Sequence, residues 1–235
     1  MKKSLALLLV FALLLVALPA QAATKKDEWK QAYKSYILEY ISSENFGQDS
    51  LIVLFDFDRD GIPELIVGEP YRTVNRVDLA FTFKNGKAQK LSQKGTGLGA
   101  ESPINFTIGM EAFNTGNVKI FKNKKNRQYK TIVKDGGGGV TGWESGEYAI
   151  SLQGTQLITH ELSKTYYDRD EDSTEYIFKG KILSETMYNK SRQNYFSEYT
   201  QIPSQSKQLP GLKLVTSKEN GTSYEKEVNI FLGIK

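Results

Sequence analysis

The hydrophobic pattern of the chain is most informative between Leu51 and Val67, where the sequence is LIVLFDFDRDGIPELIV. Five consecutive large apolar residues, 51–55, lead into aspartates at alternate positions, and a second apolar run, 65–67, follows. A short apolar run bounded by turn residues is typical of a buried strand. The stretch therefore predicts two core strands that are joined by a short acidic loop.

An amphipathic helix is predicted upstream, from Thr24 to Ser42. Asp27 and Glu28 lie near its start, where negative charge suits the helix dipole. Apolar and aromatic residues recur at three- and four-residue spacing, which is the pattern of a helix with one buried face. We interpret this stripe as core packing rather than as a ligand platform. The stripe consists of Trp29, Tyr33, Tyr36, Ile37, Tyr40 and Ile41.

Downstream of Val67, short alternating segments separated by turn residues predict β-hairpins. Asn-Gly, as at positions 85–86, is a strong hairpin signal because both residues tolerate the positive φ of a tight turn. The predicted hairpins pair residues 77–83 with 88–91, 118–121 with 128–133, 148–152 with 156–162, 175–178 with 181–183, and 212–216 with 227–231.

A later helix is predicted over residues 185–199, with Ser184 as its N-cap. Residues 95–109 and 201–211, rich in Gly, Ser or Pro, are predicted to be loops. The fold class that follows is mainly β (α+β). It consists of one or more meandering antiparallel sheets, with an N-terminal amphipathic helix and one later helix.

The first 22 residues have the features of a secretory signal peptide. Lys2 and Lys3 precede an apolar run over residues 5–18, and Ala20-Gln21-Ala22 forms a small-x-small cleavage site. The run is shorter than a membrane-spanning helix requires. We therefore expect residues 23–235 to form a single secreted domain, without a membrane anchor once the signal is cleaved.

Charge and cysteine content narrow the function classes. Removing Lys2 and Lys3 lowers the formal charge from +4 to +2, and the chain has no long run of basic residues, so we expect no nucleic-acid partner. The chain has no cysteine, so an exported fold must hold together without disulfides. A bound ion would stabilise such a fold. We interpret the basic cluster at Lys122, Lys124, Lys125 and Arg127 as a solvated hairpin tip, with contact to an anionic wall polymer as the alternative.

The acidic loop has the composition of a calcium site. Carboxylates at alternate positions, Asp56, Asp58 and Asp60, can converge on one hard cation, and calcium accepts six to eight oxygen ligands at flexible angles. The carbonyl of Ile62 and the carboxylate of Glu64 complete the predicted ligand set. An EF-hand would place a glutamate at position twelve, where this chain has Val67. The alternative is an acidic turn without metal, and even with calcium we expect a structural rather than a catalytic ion.

The segment DFDRDGIPELIV resembles the DxDxDGxxE/D calcium loops of FG-GAP and VCBS-type repeats. Together with the upstream WxxAYxxYI pattern and the FKNGK hairpin, it is also similar to uncharacterised secreted proteins of Gram-positive bacteria. Those proteins commonly carry Gly where this chain has Arg59. The resemblance implies a structural calcium ion and no particular activity. A full propeller is not expected from a single loop, because each blade needs its own four strands.

Two further stretches are candidate sites. Asp168, Asp170 and Asp172 alternate in the same way, but Ser173 replaces the turn glycine, so we interpret them as a solvated loop and leave a second ion site open. The run Gly136 to Gly139 is followed by Trp143, Glu144 and Tyr148, which form a candidate ligand-binding site in which Trp143 could stack on a sugar ring. The alternative is that Trp143 packs at the core edge, and the glycines are either mobile or closely packed.

Two functional hypotheses follow from these residues. The first is a secreted, calcium-binding, non-catalytic module that binds an extracellular protein or glycan. The alternative is a secreted hydrolase that acts on a polysaccharide or cell-wall substrate. His160 is the single histidine and the chain has no cysteine, which leaves carboxylates such as Glu101, Glu144 and Glu147 as candidate catalytic groups.

Overall fold

The computed structural model describes residues 27–69, 76–95, 117–203, 206–211, 213–214 and 223–234. The predicted signal peptide and almost all of the predicted loop at 95–109 lie outside these residues. Residues 27–41 form helix α1, Glu185–Ser197 form α2 and Tyr224–Leu232 form α3. The strands are β1 (Leu51–Phe55), β2 (Glu64–Glu69), β3 (Arg76–Lys84), β4 (Lys87–Lys90), β5 (Ser92–Gly95), β6 (Val118–Asn123), β7 (Tyr129–Gly138), β8 (Gly142–Gln153), β9 (Gln156–Asp168), β10 (Ser173–Phe178), β11 (Lys181–Leu183), β12 (Tyr199–Ile202) and β13 (Lys207–Pro210).

Two sheets organise the described part of the chain, and the predicted mainly β fold is confirmed. The small sheet has the strand order β13-β1-β2-β3-β4, and all of its pairs are antiparallel. The large sheet has the order β11-β10-β9-β8-β7-β6-β12, with β5 added in parallel to β9. None of the helices in the described ranges has the length and apolar character that a membrane span requires.

Strand β1 is buried on both faces because the small sheet lies between two other layers. Val53 and Phe55 pack toward the large sheet, in a cluster that also contains residues of β6, β7, β8 and β9. Ile52 and Leu54, which alternate with them, pack against α1 and α3. This double burial is why the strand is a continuous apolar run rather than an alternating one.

The aromatic stripe of α1 packs into the core, as predicted. Tyr33 and Ile37 are fully buried, and Tyr36 stacks on Phe81 of β3 with ring centroids 4.1 Å apart. At the other end of the chain α3 packs into the same cluster, and Lys34 of α1 forms an ion pair with its Glu225. The small sheet therefore carries a helical layer on one face and the large sheet on the other.

Four of the five predicted hairpins are present, and two of them show the tight turns that their glycines predict. Asn85 and Gly86 have φ of 55° and 75°, and Lys179 and Gly180 have φ of 50° and 73°. Positive φ at both central residues is the requirement of a type I′ turn.

The fifth predicted hairpin is wrong, because residues 224–232 are helical. Ser223 caps the helix, and Gly233 ends it in the left-handed conformation with φ of 68°. Val228, Phe231 and Leu232 recur at helical spacing and are buried together, so one face of a helix accounts for the apolar residues that the alternating pattern assigns to a strand.

Helix α2 is confirmed, with the Ser184 side chain accepting a hydrogen bond from the backbone N–H of Met187. The linker predicted over 201–211 is wrong, because β12 and β13 lie there. Each of these strands is at the edge of a sheet. The edge position explains why Pro210, which has no N–H to donate, is tolerated in a strand.

The glycine-rich segment is a packed strand in which Gly136 pairs with Ser145 and Gly138 with Trp143. A Cβ atom placed on Gly136 would lie 2.4 Å from the carbonyl oxygen of Glu144, which is closer than any real contact. Of the two expectations for this segment, mobility or close packing, the structure shows close packing.

Substitution of these glycines should distinguish their roles. We expect Gly136→Ala to lower the free energy of unfolding by about 1–3 kcal/mol, because the added methyl group would overlap backbone of the neighbouring strand. Gly139→Ala is the matched control, since a methyl group added there would meet nothing within 4 Å. Denaturant titration of both variants measures the difference. Equal stability of the two would contradict the packed strand.

Candidate metal centre

The acidic loop connects β1 to β2, and its first aspartate organises it. Asp56 follows the last residue of β1 directly, and its two carboxylate oxygens accept hydrogen bonds from the backbone N–H groups of Arg59 (2.6 Å) and Gly61 (3.1 Å). Gly61 has φ of 91°, which favours glycine. The loop therefore folds back over the Asp56 carboxylate.

Three carboxylates converge inside this loop. One oxygen from each of Asp56, Asp58 and Glu64 lies within 4.8 Å of the others, and this is the one such group of three among the described residues. Calcium–oxygen distances of 2.3–2.6 Å place ligands on opposite sides of an ion about 5 Å apart. The three side chains could hold a metal ion without a change of backbone.

Glu64 forms the buried base of the group and is only 2% exposed. Its Oε2 accepts from the backbone N–H of Phe57 (3.0 Å), and its Oε1 accepts from the hydroxyl of Thr82 on β3 (3.1 Å). Burial raises the pKa of Glu64 to about 8, despite the lowering effect of these hydrogen bonds. A cation at this position would supply the charge that the buried carboxylate lacks.

The other acidic groups crowd the same space. Burial, and then the charge of Asp60, raise the pKa of Asp58. Tyr33 of α1 also has a raised pKa, mainly because it is buried and secondly because of the charge of Glu64. Its hydroxyl donates a hydrogen bond to the carbonyl of Phe81. Like charges at this density favour either protonation or a bound cation.

Of the other two predicted ligands, Asp60 lies in the loop but outside the group of three, and the Ile62 ligand is a backbone carbonyl, which that group of side chains does not include. The Oδ1 atom of Asp60 accepts from the backbone N–H of Ile62 at 2.7 Å, which closes a local turn. The side chain of Ile62 packs against the core cluster that contains residues of α1 and α3. Asp60 therefore shapes the loop, while Asp56, Asp58 and Glu64 converge.

Arg59 occupies a conformation that favours glycine, with φ of 64°. The guanidinium carbon of Arg59 lies 5.7 Å from the ring centroid of Tyr129 on β7, and Lys122 Nζ lies 5.0 Å from the same ring. A cation–π contact therefore links the acidic loop to the large sheet.

Replacing Arg59 should strengthen calcium binding. We expect Arg59→Gly to bind calcium severalfold more tightly, because a unit positive charge beside a divalent ion costs on the order of 1 kcal/mol in a water-like dielectric. Arg59→Gln removes the charge but keeps a side chain at the positive φ, which separates the charge from the backbone preference for glycine, and Arg59→Lys keeps the charge. Calorimetric titration at low ionic strength measures all three variants, and a Gln variant that binds no more tightly than the Lys variant would contradict the electrostatic argument.

The second acidic run lies in the turn between β9 and β10 and is held by its own hydrogen bonds. Asp168 Oδ1 accepts from the backbone N–H groups of Asp170 (2.8 Å) and Glu171 (3.2 Å), and Asp172 Oδ1 accepts from the hydroxyl of Tyr167 (3.1 Å). Asp170 is exposed to solvent. This geometry is that of a solvated turn.

The candidate ligand residues on β8 do not converge. Trp143 is 49% exposed, whereas Tyr148 is 2% exposed and lies in the interior. Glu144 forms an ion pair with Lys164 at 2.6 Å. Because side chains alternate along a strand, Trp143 lies on the opposite face from Glu144 and Tyr148. A ligand that touched all three would have to span both faces of the sheet.

Thr82 is a site residue that sequence reasoning missed. It lies 18 residues beyond Glu64, and only the pairing of β2 with β3 brings its hydroxyl to the carboxylate.

Comparison with protein-family models, with curated proteins and with solved structures gave no match.

Proposed function

We propose that this chain is a secreted, calcium-binding, non-catalytic module that binds an extracellular protein or glycan. The observation that supports calcium is the convergence of Asp56, Asp58 and Glu64 beside a buried strand end. The resemblance to FG-GAP and VCBS-type loops points to the same ion. Hard oxygen ligands in a flexible loop favour calcium over magnesium, which requires stricter octahedral geometry.

The position of the loop supports a structural role for the ion. Asp56 and Asp58 follow β1, Glu64 begins β2, and Thr82 connects the site to β3. An ion held there would fasten three neighbouring strands of the small sheet at one corner. In a chain without disulfides, that contribution would add directly to the stability of the folded state.

The carboxylates suggested for a hydrolase are already engaged in ion pairs. Glu144 pairs with Lys164, and Glu147 accepts from Arg192 Nε at 2.8 Å and from the hydroxyl of Ser163 at 2.7 Å. Glu144 and Glu147 lie three residues apart on one strand and so face opposite sides of the sheet. Two carboxylates in this arrangement do not flank one glycosidic bond. Glu101 lies outside the described residues.

Direct titration tests the proposal. We expect calorimetry to show one calcium ion per chain, with magnesium bound more weakly. Mass spectrometry of the exported protein should show cleavage after Ala22. The non-catalytic part would be contradicted by turnover of a glycan panel that disappears in Glu144→Gln. The calcium part would be contradicted by the absence of heat on calcium addition to metal-free protein.

A further inference from the structure

A cavity of about 250 Å³ lies on the outer face of the large sheet, the face turned away from the small sheet. It is bounded by β7, β8, β9, the turn between β10 and β11, and the C-terminal part of α2. Its size is below that of pockets for drug-sized ligands, so it suits a compact ligand or one unit of a longer chain. The charged and aromatic residues that line it are Tyr129, Lys130, His160, Glu161, Lys179 and Tyr195.

Lys130 is a half-buried cation on the wall of this cavity. Its ammonium donates hydrogen bonds to the hydroxyls of Tyr195 (2.7 Å) and Tyr199 (3.4 Å), and lies 5.3 and 5.4 Å from the centroids of their rings. Within the described ranges no carboxylate forms an ion pair with Lys130. An ammonium carries three donors, so these two hydrogen bonds leave one N–H group of Lys130 for a further acceptor.

Lys179 brings a second ammonium to the same ring. It lies in the tight turn between β10 and β11, and its Nζ is 4.7 Å from the ring centroid of Tyr195. Lys130 approaches the hydroxyl end of the Tyr195 ring, and Lys179 lies near the same ring, so the two ammonium groups repel each other. An anion bound beside Tyr195 would lie near both ammonium groups and relieve that repulsion.

One turn before Tyr195 on α2, the protein supplies the compensating anion itself. There Arg192 projects toward the sheet and pairs with Glu147, which also accepts from Ser163. The cavity on the Lys130 side contains two lysines and a single acidic lining residue, Glu161. Within the described residues neither Lys130 nor Lys179 forms an ion pair with a carboxylate, so both can pair with an anion from outside the chain.

We propose that this cavity binds a small organic anion, with its carboxylate or phosphate group between Lys130 and Lys179 and a ring-sized body along Tyr195 and Leu162. This proposal rests on the function proposed above and names the ligand class of the binding module. A sugar that carries a carboxylate or a phosphate has both parts. The apolar and aromatic walls would hold the ring, and the lysines would select the charge.

Calorimetric titration of the full exported chain tests the ligand class with four probes. Glucose 6-phosphate is the phosphate arm and glucuronate is the carboxylate arm, and glucose and inorganic phosphate separate the ring from the charge. We expect a dissociation constant below about 1 mM for at least one charged sugar at low salt, weakening as salt is added. Binding should be at least tenfold weaker for glucose and for inorganic phosphate. The proposal would be overturned if neither charged sugar binds, or if glucose binds as tightly as the charged sugars.

Three variants locate the site. Lys130→Met and Lys179→Met should each weaken binding of the charged sugar at least tenfold, and Lys87→Met, at an exposed position on β4 of the small sheet, should leave it unchanged. If Lys130→Met does not fold, Lys179→Met provides the test, because Lys179 is exposed and its replacement should not affect folding. Unchanged sugar binding in Lys179→Met would contradict the proposed site. The calcium-dependent melting of the same samples tests the ion separately. If calcium raises the melting temperature but no charged sugar binds, the anion site is refuted and the calcium proposal stands. If a charged sugar binds but calcium leaves the melting temperature unchanged, the calcium proposal is refuted and the anion site stands.

Discussion

Saturating calcium should raise the melting temperature of the metal-free protein by about 5–10 °C, and Asp58→Ala should abolish that rise. A ligand at one hundred times its dissociation constant adds about 2.7 kcal/mol to the stability of the state that binds it. One kcal/mol corresponds to roughly 2–4 °C for a domain of this size. Thermal melts in EDTA and in calcium measure the difference.

Asp58 is the informative position because it contributes little to the fold without the ion. Its carboxylate is exposed and accepts only a long hydrogen bond, 3.3 Å, from the backbone N–H of Asp60, whereas Asp56 holds two loop N–H groups. Asp58→Ala should therefore melt at least as high as the wild type in EDTA, because it removes one of the crowded like charges, and it should lack the rise in calcium. Asp170→Ala, in the second acidic run, is the control. A calcium shift that survived in Asp58→Ala would contradict the site.

Local patterns were enough to predict the elements near the site. The double burial of β1 was visible as an unbroken apolar run, and the stripe of α1 as helical spacing, because both signals depend on neighbours within a few residues. The turns at Asn85-Gly86 and Lys179-Gly180 were predictable for the same reason. Each requires only that two adjacent residues accept positive φ.

Errors occurred where two local signals competed. Asn220-Gly221, a hairpin signal, lies between residues 212–216 and 227–231, and it favours the prediction of a strand on each side. The spacing of Val228, Phe231 and Leu232, together with a Ser223 cap, was the stronger evidence and would have predicted the helix. Prolines favoured a linker over 201–211, because sequence does not show that a strand will lie at the edge of its sheet.

Contacts between distant segments could not be predicted from sequence. Thr82 reaches Glu64 only through sheet pairing, and the burial that raises the Glu64 pKa depends on how the surrounding layers pack. The cavity beside α2 combines Lys130, Lys179 and Tyr195 from three separate elements. Sequence patterns located the acidic corner between two core strands, but they placed the candidate ligand site at Trp143, on a different part of the large sheet.

The stability of the metal-free protein should fall as the pH rises from about 4.5 to 8, and calcium should reverse that fall. Glu64 has a folded-state pKa of about 8 against an ordinary value of 4.5, so the folded state holds its proton more tightly. The contribution of the protonated group is complete below pH 4.5 and is lost as the pH rises through 8. The size of this contribution to the free energy of unfolding is on the order of 5 kcal/mol.

Calcium binding should therefore displace a proton from Glu64. Between about pH 6 and 7 we expect close to one proton released per ion, falling to about half a proton near pH 8, and an apparent affinity that weakens about tenfold for each unit of pH decrease below about 7. Melts in EDTA and in calcium at pH 5.5, 7.0 and 8.5, with calorimetry in buffers of different ionisation enthalpy, measure both effects. The calcium-induced shift should be largest at pH 8.5.

Glu64→Gln separates this titration from that of the other carboxylates, because the amide oxygen can still accept from Phe57 N–H while the group no longer ionises. Subtracting the pH profile of Glu64→Gln from that of the wild type gives the contribution of this one carboxyl group to the free energy of unfolding. We expect the variant to be the more stable of the two at pH 8.5 in EDTA and the less stable in calcium. Parallel pH profiles for the two proteins in EDTA would show that Glu64 is already ionised in the metal-free fold, and that the ion is not needed to compensate its burial.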